Sequence, residues 1–136
     1  MEGSQVTDEG LVEIASSCRS LKALSLKRTG AGNDSLQAIA LNCGKHLQRL
    51  DLNGLFGITD ETLTLIAENC PNLEELDVSW LRAVDDVVMG KFLATAGNLA
   101  RVSVWGCNKL TSCAFSPRAA DLQKSLLKIS GQFIVD

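Results

Sequence analysis

The sequence repeats itself at an interval of 26 residues, and this period constrains the fold more than any other feature. Four segments follow the pattern LxxLxL or a valine variant of it, and they begin at Leu21, Leu47, Leu73 and Leu99. The two apolar positions that follow in each segment are Leu24, Leu50, Leu76 and Val102, then Leu26, Leu52, Val78 and Val104. Self-similarity with a period of about 20 to 50 residues is typical of solenoids, in which similar units stack.

Each strand-like segment is followed by a short link, a polar pair and a helical pattern. In "TDETLTLIAENC", Leu63, Ile66 and Ala67 recur at the spacing of one buried helix face. Thr59 or Asp60 is expected to cap this helix. The same apolar spacing occurs at Leu11, Ile14 and Ala15, at Leu36, Ile39 and Ala40, and at Met89, Phe92 and Leu93. The helix after the first strand begins one residue early, and "CGKHL" is expected to restore the strand register.

A strand followed by a helix in every unit requires parallel strands joined by crossover helices. One unit cannot bury its apolar face alone, so the units must stack. The predicted fold is therefore α/β: a leucine-rich-repeat solenoid, or horseshoe arc, of 26-residue strand–helix units with the parallel sheet on its concave face.

The repeat also predicts how the chain is organised. We expect one leucine-rich-repeat domain over residues 1–136, with a half repeat at 6–17, about four repeats at 18–115 and a C-terminal cap at 116–136. The cap is expected to contain a helix through "RAADLQKS" and a fifth strand in "LLKIS". Because no polar capping element precedes the half repeat, we expect either that the chain is the C-terminal part of a longer protein or that another segment or subunit covers Leu11 and Ile14.

Cysteines at a fixed place in the repeat point to a more specific resemblance. Cys18, Cys43 and Cys70 each precede a strand, and "GITD" marks the link before a helix. This arrangement resembles the cysteine-containing leucine-rich repeats of F-box substrate receptors of ubiquitin ligases. More narrowly, "LEELDVSWLRAVDD", "VSVWGCNKLT" and "LLKISGQ" are similar to the C-terminal repeats of the leucine-rich-repeat subunit of the fungal-type nucleotide-excision-repair complex.

The resemblance implies a non-catalytic module that recognises a protein partner or substrate in a ubiquitin-ligase complex, and that acts in nucleotide-excision repair. The implied partners are a ligase adaptor or cullin, or a repair ATPase. The implied location is the nucleus or cytoplasm, with the nucleus favoured by the repair likeness. Two alternatives remain open: a general F-box-type receptor unrelated to DNA repair, and a structural spacer.

Residues that alternate with the leucines are expected to point to the concave face. They form three columns across the strands: Ala23, Arg49, Glu75 and Arg101; Ser25, Asp51, Asp77 and Ser103; and Lys27, Asn53, Ser79 and Trp105. From these columns the candidate partner-binding residues are Lys27, Arg49, Asp51, Asn53, Glu75, Asp77, Ser79, Arg101 and Trp105.

Charges within these columns allow several interpretations. Arg49, Glu75 and Arg101 alternate in sign, which favours cross-strand pairing. Asp51 and Asp77 are like charges side by side. They could form an acidic patch for a basic partner segment, a carboxylate pair with one raised pKa, or a solvated ladder screened by the arginines. No nucleophile, metal ligand or phosphate loop accompanies the pair, so the sequence predicts no catalytic residue.

The chain contains two tryptophans, Trp80 and Trp105. Trp105 could anchor an interface on the concave face, or it could fold onto the terminal cap. Trp80 lies one step later in its repeat, and we expect it to pack against a neighbouring loop. Cys107 falls at a position that other repeats fill with inward-facing residues, and is expected to be a core residue.

Composition excludes several classes of function. The 13 basic and 16 acidic residues give a net charge of −3, which argues against direct nucleic-acid binding. No apolar run could span a bilayer, and the N-terminal residues do not resemble a signal peptide. Five cysteines without a CxxC pair, and a single His, predict neither a metal site nor a cofactor. They suit a reducing compartment.

Overall fold

The computed structural model describes residues 13, 17, 20–27, 29–115 and 128–131. Within this part of the chain, short strands alternate with helices. The elements are β1 (Ala23–Ser25), α1 (Asn33–Cys43), a 3₁₀ turn (Gly44–His46), β2 (Arg49–Asp51), α2 (Asp60–Asn69), β3 (Glu75–Asp77), α3 (Asp86–Thr95), β4 (Arg101–Ser103), a short 3₁₀ helix (Ser112–Phe115) and β5 (Lys128–Ser130).

The strands form one parallel sheet in sequence order, from β1 to β5. The central residue of each strand pairs with the central residue of the next strand. In order, these residues are Leu24, Leu50, Leu76, Val102 and Ile129. Neighbouring helices also pack side by side, α1 against α2 and α2 against α3. The structure is thus the predicted leucine-rich-repeat solenoid, with the leucines stacked from one unit to the next.

One continuous core lies between the sheet and the helices. The strand leucines and the predicted helix faces both contribute to it, including Leu63, Ile66 and Phe92, all at most 2% exposed. The prediction of a shared interior is therefore confirmed for α1, α2 and α3. The first predicted helix face (Leu11, Ile14 and Ala15), Cys18 and the helix predicted in "RAADLQKS" lie outside the described residues.

Polar side chains cap two of the helices, and the cap of α2 is the one that the sequence predicts. Thr59 caps α2, its hydroxyl accepting a hydrogen bond from the backbone N–H of Thr62 at 3.4 Å. Asp85 caps α3 by accepting from the N–H of Val88 at 2.9 Å. The residue that precedes α1 is Gly32, which offers no side-chain cap.

The strand register survives an irregularity in the repeat. Helix α1 begins at Asn33, one residue earlier than the 26-residue period from α2 would place it. A 3₁₀ turn over Gly44–His46 follows α1 directly and takes up that residue. Arg49 therefore still pairs with Glu75, as predicted. The predicted fifth strand is also present, and it pairs with β4.

Candidate partner-binding surface

The first predicted column crosses the sheet in register, from Ala23 through Arg49 and Glu75 to Arg101. Arg101 Nη1 lies 3.1 Å from Glu75 Oε1, so the expected cross-strand ion pair is present. Both side chains remain in contact with solvent, at 67% and 42% exposure. An ion pair this exposed contributes little to stability, and both charges remain accessible to a partner.

The carboxylates of the middle column accept hydrogen bonds from residues of their own turns. Asp51 Oδ1 accepts from the Asn53 N–H at 3.0 Å, and Asp77 Oδ1 accepts from the Ser79 N–H at 2.9 Å. Their other oxygens accept from the preceding repeat: Ser25 Oγ donates to Asp51 at 3.3 Å, and Asn53 Nδ2 donates to Asp77 at 3.3 Å. These donors hold the two like charges side by side in fixed positions.

The third column is only partly available for binding. The prediction that Ser79 contacts a partner is wrong, because its side chain is not accessible. Ser79 is fully buried, and its hydroxyl accepts a hydrogen bond from the Trp105 N–H at 3.1 Å. This hydrogen bond places the backbone of Trp105, from the next repeat, directly against the Ser79 side chain. Lys27 and Asn53 are half-buried, whereas Trp105 is 47% exposed.

A groove on the sheet face brings five of the predicted binding residues together. It has a volume of about 410 Å³ and is lined by residues of the first two columns, with the central leucines as its floor. The predicted residues that line it are Arg49, Asp51, Glu75, Asp77 and Arg101. Lys27, Asn53, Ser79 and Trp105 do not line it.

Trp80 is the residue that the sequence interpretation undervalued. Its φ of +69° is in the left-handed region, and Trp80 is the only non-glycine residue of the described chain with a positive φ. The equivalent residues one repeat before and after are Gly54 and Gly106, at +78° and +71°. A left-handed conformation costs a residue with a Cβ about 1–2 kcal/mol. The sequence did carry a signal of this unusual conformation, because Trp80 stands 26 residues from a glycine on either side.

The predicted packing of Trp80 against a neighbouring loop is confirmed. A Cβ atom added to Gly106 would lie only 2.1 Å from Cε3 of the indole, so the ring rests directly on this glycine. The side chain is nevertheless 53% exposed. Trp80 is therefore held by the next repeat and still presents a large aromatic surface to solvent.

The cysteines that the structure describes belong to the core, apart from Cys113, which is exposed. Burial, with a smaller contribution from nearby Cys43, raises the pKa of the Cys70 thiol to about 12. Burial also raises the pKa of Cys107, which occupies the inward position predicted for it and donates to the Val78 carbonyl at 3.2 Å. Thiols with raised pKa values are poor nucleophiles at neutral pH.

Neither a metal-binding cluster nor a membrane-spanning helix is found in the part of the chain that the structure describes. No group of three or more His, Cys, Asp or Glu side chains is arranged within these residues to hold a metal ion. None of the helices in these ranges is both long enough and apolar enough to cross a membrane.

No family model matches the chain, but individual proteins do. It is 39% identical over 90 residues to the DNA repair protein rhp7 of Schizosaccharomyces pombe, covering 65% of this chain and 16% of that protein. The DNA repair protein RAD7 of Saccharomyces cerevisiae is 38% identical over 68 residues, which cover 50% of this chain and 12% of that protein. A putative RNA-binding protein of Caenorhabditis elegans, EEED8.10, is 31% identical over 103 residues, covering 66% of this chain and 14% of that protein.

A solved structure agrees with these relatives. A chain in the crystal structure of the Rad7 and Elc1 complex in yeast superposes with a TM-score of 0.78 at 29% identity, covering 96% of this chain and 32% of that chain. This chain thus spans about a sixth or less of the length of the curated relatives it matches. The chain therefore has a leucine-rich-repeat fold, and it is similar in sequence and structure to the Rad7 and rhp7 DNA repair proteins.

Proposed function

We propose that this chain recognises a protein partner through the groove on the face of its sheet. The observation that carries the proposal is the set of five charged residues that line the groove. They stand on adjacent strands of one parallel sheet, so their relative positions are fixed before a partner arrives. Preorganised charges of both signs favour a specific partner and disfavour others.

The relatives support a role in DNA repair. Two of them are DNA repair proteins, and the superposed structure is a complex of Rad7 with Elc1. The domain would then serve a ubiquitin-ligase complex in nucleotide-excision repair, in the nucleus. Its partner would be a ligase adaptor or cullin, or a repair ATPase.

The proposed role is binding rather than catalysis or direct contact with DNA. Both groove aspartates accept hydrogen bonds from their own turns and neighbours, which suits a recognition surface. The net charge of −3 would repel a nucleic-acid backbone. A salt titration with duplex DNA tests this point: measurable binding that falls steeply with rising salt would contradict it.

Charge reversal in the groove tests the proposed function. Arg49→Glu combined with Arg101→Glu is expected to reduce co-purification of the partner at least about tenfold. A matched control is Lys91→Glu, which reverses an exposed charge on α3. The groove variant is also expected to lower survival after ultraviolet irradiation, and the control is not.

The identity of the co-purified proteins separates the alternatives. A DNA-dependent repair ATPase that is lost with the groove variant supports the role in repair. Cullin-adaptor partners alone, with unchanged ultraviolet survival, would point to a general substrate receptor. Unchanged co-purification of every partner would point to a structural spacer and would refute the proposed recognition surface.

A further inference from the structure

We propose that Trp80 and Trp105 form an aromatic docking surface for an arginine-bearing segment of a protein partner, extending the groove at the end where the strands finish. This inference rests on the proposed protein-recognition function and specifies the chemistry of the partner. Neither indole lines the groove itself, so the surface adds a second region of contact.

The backbone conformation of Trp80 is the first observation. Glycine occupies the equivalent place in both flanking repeats, where the left-handed conformation is free of strain. Trp80 adopts the same conformation with a full side chain. Strained residues persist only where the surrounding structure holds them in place, and they cluster at functional sites.

The support under the Trp80 ring is the second observation. Three atoms of its six-membered ring would lie within 2.7 Å of a Cβ at Gly106, so the glycine lets the ring approach the backbone closely. One side of the ring is held, while 53% of the residue remains exposed. A ring that is already fixed loses little conformational entropy when a partner binds.

Trp105, in the next repeat, extends this surface. Its carbonyl accepts a hydrogen bond from the Trp80 N–H at 2.6 Å, and its own N–H donates to Ser79. The backbones that carry the two indoles are therefore joined directly. Trp105 is 47% exposed, so two large aromatic side chains are accessible on neighbouring rungs. Tryptophan is among the residues most enriched at the centres of protein interfaces.

Acidic residues at the last positions of β2 and β3 favour one class of partner. Asp77 accepts from the backbone of Ser79, the residue before Trp80, and Asp51 lies opposite Asp77 on the next strand. A guanidinium group can stack on an indole and also form hydrogen bonds to a carboxylate. A nucleic-acid strand could stack on the same rings, but the carboxylates would repel its phosphates. The geometry therefore favours an arginine-bearing protein segment.

The test is a selection of random dodecapeptides displayed on phage, with the isolated binders measured in solution. Trp80 and Trp105 are the only tryptophans and the chain contains no Tyr, so intrinsic fluorescence reports directly on this surface. We expect the selected peptides to be enriched in arginine and to change the tryptophan emission. Replacing arginine by lysine in a selected peptide should weaken its binding.

Two variants are designed to keep the fold. Trp80→Gly restores the residue type of the flanking repeats, and Trp105→Asn introduces the residue type that Asn53 provides in the same column. Each is expected to weaken peptide binding at least about tenfold. Leu41→Ala removes an apolar side chain that is 66% exposed on α1, and should leave binding unchanged.

Three results would overturn the inference: selected peptides without arginine enrichment, peptides insensitive to both tryptophan variants, or poly(dT) binding when no peptide binds. Peptides that lose affinity with the groove variant, but not with the tryptophan variants, would leave the proposed recognition function intact and reject only this surface. Loss of partner co-purification with the groove variant is measured independently of the peptides. The two proposals can therefore fail separately.

Discussion

The contact between Trp80 and Gly106 makes a quantitative prediction about stability. Gly106→Ala is expected to destabilise the domain, and most of the loss is expected to disappear when Trp80 is also replaced by glycine. Two physical effects combine in the single variant. Alanine must adopt the positive φ of +71° at position 106, and its Cβ must displace an indole that would lie 2.1 Å away.

The size of each effect follows from the structure. The left-handed backbone costs a residue with a Cβ about 1–2 kcal/mol. Trp80 is 53% exposed, so roughly 100 Å² of its surface is covered, worth at most about 2.5 kcal/mol at 25 cal/mol per Å². Gly106→Ala should therefore cost about 3–4 kcal/mol alone and about 1–2 kcal/mol in the Trp80→Gly background. The coupling between the two positions should be about 2 kcal/mol.

Urea unfolding followed by circular dichroism measures all four members of this cycle. Gly54→Ala is the matched control, because Gly54 has the same left-handed conformation but a Cβ added there would have no neighbour within 4 Å. It should show the backbone cost alone. The reasoning is refuted if Gly106→Ala costs no more than Gly54→Ala, or if its cost is the same with and without the indole.

Three further predictions concern the helix cap, a buried thiol and the surface ion pair. Asp85→Ala removes the hydrogen bond from the Val88 N–H and should lower the free energy of unfolding by about 1 kcal/mol in urea titrations; no change would mean that the cap is dispensable. Burial raises the pKa of the Cys70 thiol from 9.0 to about 12, so its contribution to stability is complete below pH 9 and is lost between pH 9 and 12. The free energy of unfolding from urea titrations across that range should therefore fall in the parent by about 1.4 kcal/mol per pH unit relative to Cys70→Ala, and parallel curves would contradict this. Glu75→Gln removes the ion pair with Arg101, but both side chains are exposed, so thermal unfolding should report a loss of about 0.5 kcal/mol or less.

The sequence predicted the arrangement of the sheet because strand geometry is local. Side chains alternate across a strand and the repeat length is constant, so the residues that align in each column were predictable from the sequence. The pairing of Arg49 with Glu75 and of Asp51 with Asp77 confirms them. The cap of α2 and the compensating turn after α1 were predictable for the same reason: each depends on a few neighbouring residues.

The ends of the strands were less predictable, because contacts between repeats decide them. Ser79 has the position of an exposed column residue, yet it is fully buried where Trp105 bonds to it. The left-handed conformation of Trp80 likewise depends on a glycine 26 residues away that accommodates its ring. Neither outcome follows from the residue type and its place in the repeat alone.

By itself, the sequence determined the period, the parallel stacking of the units and which residues share a column, since these follow from local geometry repeated along the chain. Only the tertiary structure decided which members of a column remain accessible, which five charged residues line one groove, and that two tryptophans on adjacent rungs are half exposed. Accessibility depends on what the neighbouring repeat places over each side chain. That neighbour is distant in sequence and adjacent in space.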